Sequence, residues 1–166
     1  MFKQVFLPIL LVMAFIVLTG LMYQGKFNSF LTKAIPTNSS SPTKTIVVGD
    51  KEINVEIAKT DKDRATGLSN RTELNENNGM IFVFPKDSKP TFWMKDTKIA
   101  LDIIWINDDK IVGINENVKP EIGASDNKLK KYPAPSAVDY VLEVNSGWSS
   151  KNNIKVGTSV QKLSDL

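Results

Sequence analysis

The sequence predicts a mainly β domain, a small antiparallel barrel or sandwich with one or two short helices, carried behind one N-terminal transmembrane helix. Three observations predict it. Residues 5–23 form a run of 19 positions without a charge. From Lys44 onward, apolar residues recur at period two in short runs broken by Gly, Pro, Asn and Asp, the pattern of half-buried strands joined by turns. A helix-start signal is confined to one short stretch near residue 60.

The N-terminal run comes first. At about 1.5 Å per residue, a helix of this length nearly crosses a ~30 Å hydrocarbon core. Pro8 falls in its first turns, where a missing N–H is tolerated. A cleaved signal peptide has a shorter apolar core and a small-x-small cleavage site. Leu21-Met22-Tyr23-Gln24-Gly25-Lys26 is a poor match to such a site, so an uncleaved anchor over residues 1–27 is the expectation. Lys3 flanks one end and Lys26 and Lys33 the other, which nearly balances the positive-inside rule. The absence of a strong basic cluster after the span favours an extracytoplasmic C-terminal domain at the cell membrane. Residues 28–43, rich in Ser, Thr, Asn and Pro without periodicity, read as a flexible tether. Residues 44–166 then form one β-rich domain, long enough to bury a core without disulfides.

Within that domain, residues 45–48 and 51–58 read as a β-hairpin around the two-residue turn Gly49-Asp50. Ile53, Val55 and Ile57 share one side. Thr60-Asp61-Lys62-Asp63 has the spacing of a capping box, opening a short helix that Gly67 ends or kinks. Residues 79–84 are a strand stopped by Pro85. Residues 92–94 and 99–106 are further strands, and Asn107-Asp108-Asp109 turns the chain into residues 110–115. Residues 116–137 lack periodicity. Residues 138–144 are a strand with Val138, Tyr140, Leu142 and Val144 facing inward. Asn145-Ser146-Gly147 breaks it, and residues 154–160 close the domain with a hairpin-like turn.

Composition removes many functions. The chain has no Cys and no His. Cysteine nucleophiles, Ser-His-Asp triads, structural zinc, His-ligated haem and iron–sulfur clusters are therefore excluded, and no cofactor or metal is expected. Asp108-Asp109 belongs to a hairpin turn, and the calcium-loop pattern is absent. The net charge of +3 lies outside the domain: residues 1–42 hold three Lys and no acid, leaving 18 basic and 18 acidic residues beyond them. Lys128-Leu129-Lys130-Lys131 is a short basic cluster suited to a solvated loop. No nucleic-acid footprint is present.

The order of residues resembles a known family. Arg64-x-x-Gly67-Leu68-x-x-Arg71, then Gly79-Met80-x-Phe82-x-Phe84, then Phe92-Trp93-Met94-Lys95-x-Thr97-x-Ile99-x-Leu101-Asp102-Ile103-Ile104, then Tyr140-Val141-Leu142-Glu143-Val144-Asn145-x-Gly147 resemble the domain-of-unknown-function family 192. The resemblance implies a small, mostly β, single domain, commonly behind a signal or membrane anchor, in bacteria and archaea. It implies no particular activity. Ser69, Asp96 and Ala100 depart from the usual Met, Asn and Pro of the pattern; Asp96 puts a negative charge beside Lys95.

The candidate site centres on residues 91–107, where charges interrupt an apolar, aromatic block. An unpaired buried charge costs several kcal/mol, so these groups face water, pair, or line a pocket. Trp93 is a stacking face or core. Arg64 and Arg71, seven apart, suit an anion or structural ion pairs with Glu56 or Glu143. Lys95 rather than Asp96 faces the cleft, since adjacent strand residues point to opposite sides. Asp102 is paired or lines a pocket. Glu143 faces away from Leu142 and Val144, toward solvent or the site. These six, Arg64, Arg71, Trp93, Lys95, Asp102 and Glu143, are the expected ligand-binding residues. The leading function is an anchored domain that binds a cell-envelope ligand, a carbohydrate or an anionic group. An interaction or assembly module without a small ligand ranks second. A hydrolase of envelope glycans using Asp102 and Glu143 as its acid/base pair ranks last, 5–10 Å being the separation it needs.

Overall fold

The computed structural model describes residues 42–164 and 166. The predicted anchor and nearly all of the tether lie outside them. Among the described residues, no helix is long and apolar enough to cross a membrane. Eleven elements follow in order: β1 Thr43–Val48, β2 Lys51–Ala58, α1 Asp61–Thr66, β3 Asn78–Ser88, β4 Thr91–Phe92, β5 Leu101–Asn107, β6 Lys110–Val118, β7 Tyr132–Pro133, β8 Val138–Asn145, α2 Trp148–Lys151 and β9 Val160–Gln161. Seven strands form one sheet in the order β6-β5-β8-β3-β2-β1-β9, and β4 pairs with β7 in a separate two-stranded ribbon.

The sheet curls into a half-barrel, and the segment before β9 joins its two edges. Val47 and Val48 pair with Gln161 and Val160 on one side. On the other, Lys110 bridges Ser159, Ile111 N–H donates to the Thr158 carbonyl at 3.0 Å and Val160 N–H to the Asp109 carbonyl at 2.8 Å. Joining the edges removes exposed ladder groups that would otherwise pair with another chain. The expected all-antiparallel arrangement is corrected at one place. β2 and β3 run parallel, from Asn54 beside Asn78 to Ala58 beside Phe82, because the crossover through α1 returns the chain to the same end of the sheet.

The β1–β2 hairpin turns at Gly49-Asp50 as predicted, with Gly49 at φ +64°. Thr60 and Asp63 form the capping box of α1, and Gly67, at φ +48° and ψ −136°, ends that helix. Pro85 does not stop β3; the strand continues to Ser88 with a register shift after Val83. That irregularity accommodates a residue with no N–H to give. The expected strand over residues 92–94 is only Thr91–Phe92. Met94 is instead the start of a turn, Thr97 N–H donating to its carbonyl at 3.2 Å. The short helix α2 follows Gly147, where a simple break was expected.

Both faces of the sheet are covered. Ile46, Val48, Ile53, Val55, Ile57, Ile81, Ile104, Ile106, Leu142, Val144 and Trp148 pack together inside the curl. Met80, Phe82, Leu101, Ile103, Trp105, Val138 and Val141 pack on the other face with Leu68 and Met94 from the connections. This second layer changes the fate of any polar residue that alternation assigns to the outside.

Candidate functional site

Asp102 and Glu143 lie on neighbouring strands but on opposite faces. In the β5–β8 register Asp102 sits beside Val144, and Ile103 beside Glu143. Val144 belongs to the interior of the curl and Ile103 to the opposite layer. Paired residues of an antiparallel ladder point the same way, so the two carboxyls project to opposite sides of one sheet. The acid/base pair of the hydrolase hypothesis therefore does not form.

Asp102 is fully buried and is a structural tie. Its carboxylate accepts three backbone N–H bonds, from Asn117 at 2.9 Å, Gly147 at 3.0 Å and Ser149 at 2.9 Å. It thereby fastens the end of β6 and the start of α2 to β5. Arg71 is likewise structural. Its guanidinium makes a two-pronged pair with Glu56, Nη1 to Oε1 and Nη2 to Oε2, and that bond holds the Arg71 proton more firmly than usual. Because α1 ends at Gly67, the two arginines do not share a helix face. Arg64 instead donates Nη1 to the carbonyls of Lys59 and Val83 and Nη2 to Asp61.

The other predicted residues converge. A cavity of about 220 Å³ is lined by Arg64, Gly67, Leu68, Phe82, Phe84, Phe92, Trp93, Lys95, Thr97 and Glu143 among others. Leu68, Phe82, Thr97 and Glu143 are buried and form its inner wall, while Trp93 is 47% exposed and stands at the mouth. Phe92 meets Phe82 edge-on at 4.9 Å, Phe84 at 6.2 Å and Trp105 at 5.5 Å, so the wall is a fixed aromatic cluster. Four of the six predicted residues line this one cavity; Asp102 and Arg71 do not.

Lys95 reaches the cavity from a turn, not from a strand. Asp96 has φ +55°, a backbone state that Asp and Asn tolerate best among residues with a side chain. The Asp that replaces the usual Asn therefore keeps the turn. Lys95 Nζ pairs with Asp126 at 2.5 Å, which raises the Lys95 pKa. The Lys131 ammonium lies 3.6 Å from the Trp93 ring centroid, and the Arg64 guanidinium 5.2 Å from that of Phe84.

Glu143 is the outlier of this site. It is only 5% exposed, flanked in register by Met80 and Ile103, and no described residue hydrogen-bonds or pairs with its carboxyl. Burial alone pushes its pKa up to about 8, so it is mostly protonated at neutral pH. The solvent-facing position that alternation allowed is corrected: the second layer covers it everywhere except at the cavity.

Phe82 and Phe84 belong to this site although the sequence marks them only as strand residues, and Phe92, within the block at residues 91–107, joins them. Their i, i+2 spacing in Phe82-x-Phe84 does place two rings on one face. No local pattern announces Lys131 over Trp93 or Asp126 beside Lys95. Among the described residues, no group of three or more Asp or Glu converges to hold a metal ion.

Two solved structures share this architecture. A protein of unknown function from Novosphingobium aromaticivorans is 32% identical, with 77% of this chain and 91% of that one aligned at a TM-score of 0.68. A candidate transcription regulator from Sinorhizobium meliloti is 26% identical, over 75% and 96% of the two chains, also with a TM-score of 0.68. No curated protein gives a significant match. The model of the family DUF192, described as "Uncharacterized ACR", matches residues 44–162, and the chain belongs to that family.

Proposed function

We propose that this chain is a membrane-anchored, extracytoplasmic binding domain whose aromatic cavity takes a small ligand of the cell envelope, a carbohydrate. One observation carries the proposal: an indole half-open to solvent at the mouth of a cavity whose inner wall holds a carboxyl that no described residue satisfies. Sugars offer an apolar ring face for stacking and hydroxyls for a buried polar group, and the cavity supplies a partner for each. At about 220 Å³ it lies below the range of pockets for drug-sized ligands, about 300–1,000 Å³, which suits a single sugar unit. An anion is the weaker choice, because Arg64 and Lys95 already have acidic or carbonyl partners.

The test is a titration of the full-length chain in detergent with a panel of mono- and disaccharides. Saturable binding that weakens about tenfold in Trp93→Ala is expected, a loss of ~1.4 kcal/mol. Absence of saturable binding, or equal binding by a folded Trp93→Ala chain, would overturn the proposal.

A further inference from the structure

Among the described residues two acidic side chains are buried, Asp102 and Glu143. The fold gives Asp102 three N–H donors and gives Glu143 none. Its neighbours across the ladders, Met80 and Ile103, are apolar, so among the described residues the cavity is the side left open to a partner. The nearby cations are committed elsewhere. Arg64 is held by the Lys59 and Val83 carbonyls and by Asp61. Lys95 is held by Asp126, and Lys131 rests on Trp93. On the far side of Met80, Glu56 and Arg71 form their own pair.

The rest of the wall favours positive charge. Aromatic faces attract cations, and two of the chain's own cations already sit on two of these rings, Arg64 on Phe84 and Lys131 on Trp93. Asp61 and Asp126 neutralise Arg64 and Lys95 at the rim, which leaves Lys131, on the Trp93 ring, as a further cation at the mouth. A carboxyl without a counter-ion, set among aromatic rings, is built to take one from outside.

We propose that the cavity recognises an organic ammonium, a protonated or quaternary amine whose nitrogen pairs with Glu143 against the aromatic wall. This rests on the cavity being the ligand site and names the group that enters it: the amine of a 2-amino sugar, or the amine of a small headgroup with the same chemistry. Binding exchanges one cation for one proton. The ammonium arrives, Glu143 releases its proton to solvent, and the resulting carboxylate forms the ion pair.

The test compares choline with its uncharged isostere 3,3-dimethylbutan-1-ol, and glucosamine with glucose. Calorimetry on the full-length chain covers pH 6 to 9, in two buffers of different ionisation enthalpy. Choline is expected to bind at least about tenfold more tightly than the isostere. Its affinity should rise about tenfold per pH unit up to pH ~8 and then level off, with proton release seen as a buffer-dependent heat. In Glu143→Gln the preference for charge should vanish. Because the isostere comparison uses the unaltered chain, it decides the matter even if that variant fails to fold. Tighter binding of choline without any sugar binding supports the ammonium and overturns the carbohydrate. Glucose binding as well as glucosamine, with choline no better than its isostere, overturns the ammonium and leaves a neutral sugar site standing. A flat or falling pH profile for choline overturns the ammonium. Failure of all four ligands to bind overturns both.

Discussion

Glu143 stands in β8 between two residues of the curl's interior, and its position makes stability depend on pH. Its folded-state pKa is about 8 against about 4.3 for an unperturbed Glu. The unfolded chain therefore loses this proton well before the folded chain does. Between these values the folded state binds more protons, so raising the pH favours unfolding, by up to about 1.4 kcal/mol per pH unit. Below pH ~4.5 the effect is absent, and above pH ~8 it is complete. Glu143→Gln removes the ionisation while keeping the shape. Chemical denaturation at pH 5, 7 and 9 should show the unaltered chain losing stability relative to Glu143→Gln as pH rises, with the two close at pH 5. A gap that stays constant with pH would mean that Glu143 is ionised or solvated in the fold. Alternation showed which way this residue points but not what covers it. The crossover over residues 59–77 and the turn at residues 94–97 supply that cover. Neither is written in the strand that carries Glu143.

At the scale of elements, Asp102 decides how β5, β6 and α2 are held together. Its three donors are backbone N–H groups from residues 15, 45 and 47 positions away. Such partners have no letter in the sequence, which is why a buried Asp in Leu101-Asp102-Ile103 can be read equally as a tie or as a pocket group. Asp102→Ala would strand one buried and two partly buried donors, at about 1–3 kcal/mol for each lost bond to a charged acceptor. The expected outcome is a loss of about 3–5 kcal/mol, with proteolytic cuts appearing first at residues 146–153. A loss below about 1 kcal/mol would show that water replaces the carboxylate. The antiparallel elements were legible because each had a turn signal and period-two apolar residues. The parallel β2–β3 pairing was not, since that pattern states which face is buried and not which strand lies beside it. Gly79 shows what the packing adds. A Cβ there would lie 2.7 Å from the Glu143 carbonyl oxygen, so β3 and β8 can approach at the site only because this residue is Gly.

For the whole molecule, charge and hydropathy divide the chain into an apolar, basic N-terminal part and a neutral β domain. The proposed ligand pocket at the cell envelope needs an anchor. Residues 1–27 have the length for this, and their flanking lysines decide the direction only weakly. The full-length chain, expressed in a bacterial host, is expected in the membrane fraction and resistant to carbonate washing, with an intact mass that includes Met1 or begins at Phe2. Protease added after the outer membrane is opened should remove the domain and leave a membrane-embedded N-terminal fragment of about 40 residues, because the sequence before β1 has the Ser- and Pro-rich composition of linkers that proteases cut. Carbonate release, or a mass showing that the apolar run has been cut away, would replace the anchor with a cleaved signal. Protection from protease until the inner membrane is lysed would reverse the orientation. It would also remove the extracellular envelope as the source of the ligand while leaving the chemistry of the Glu143 cavity intact.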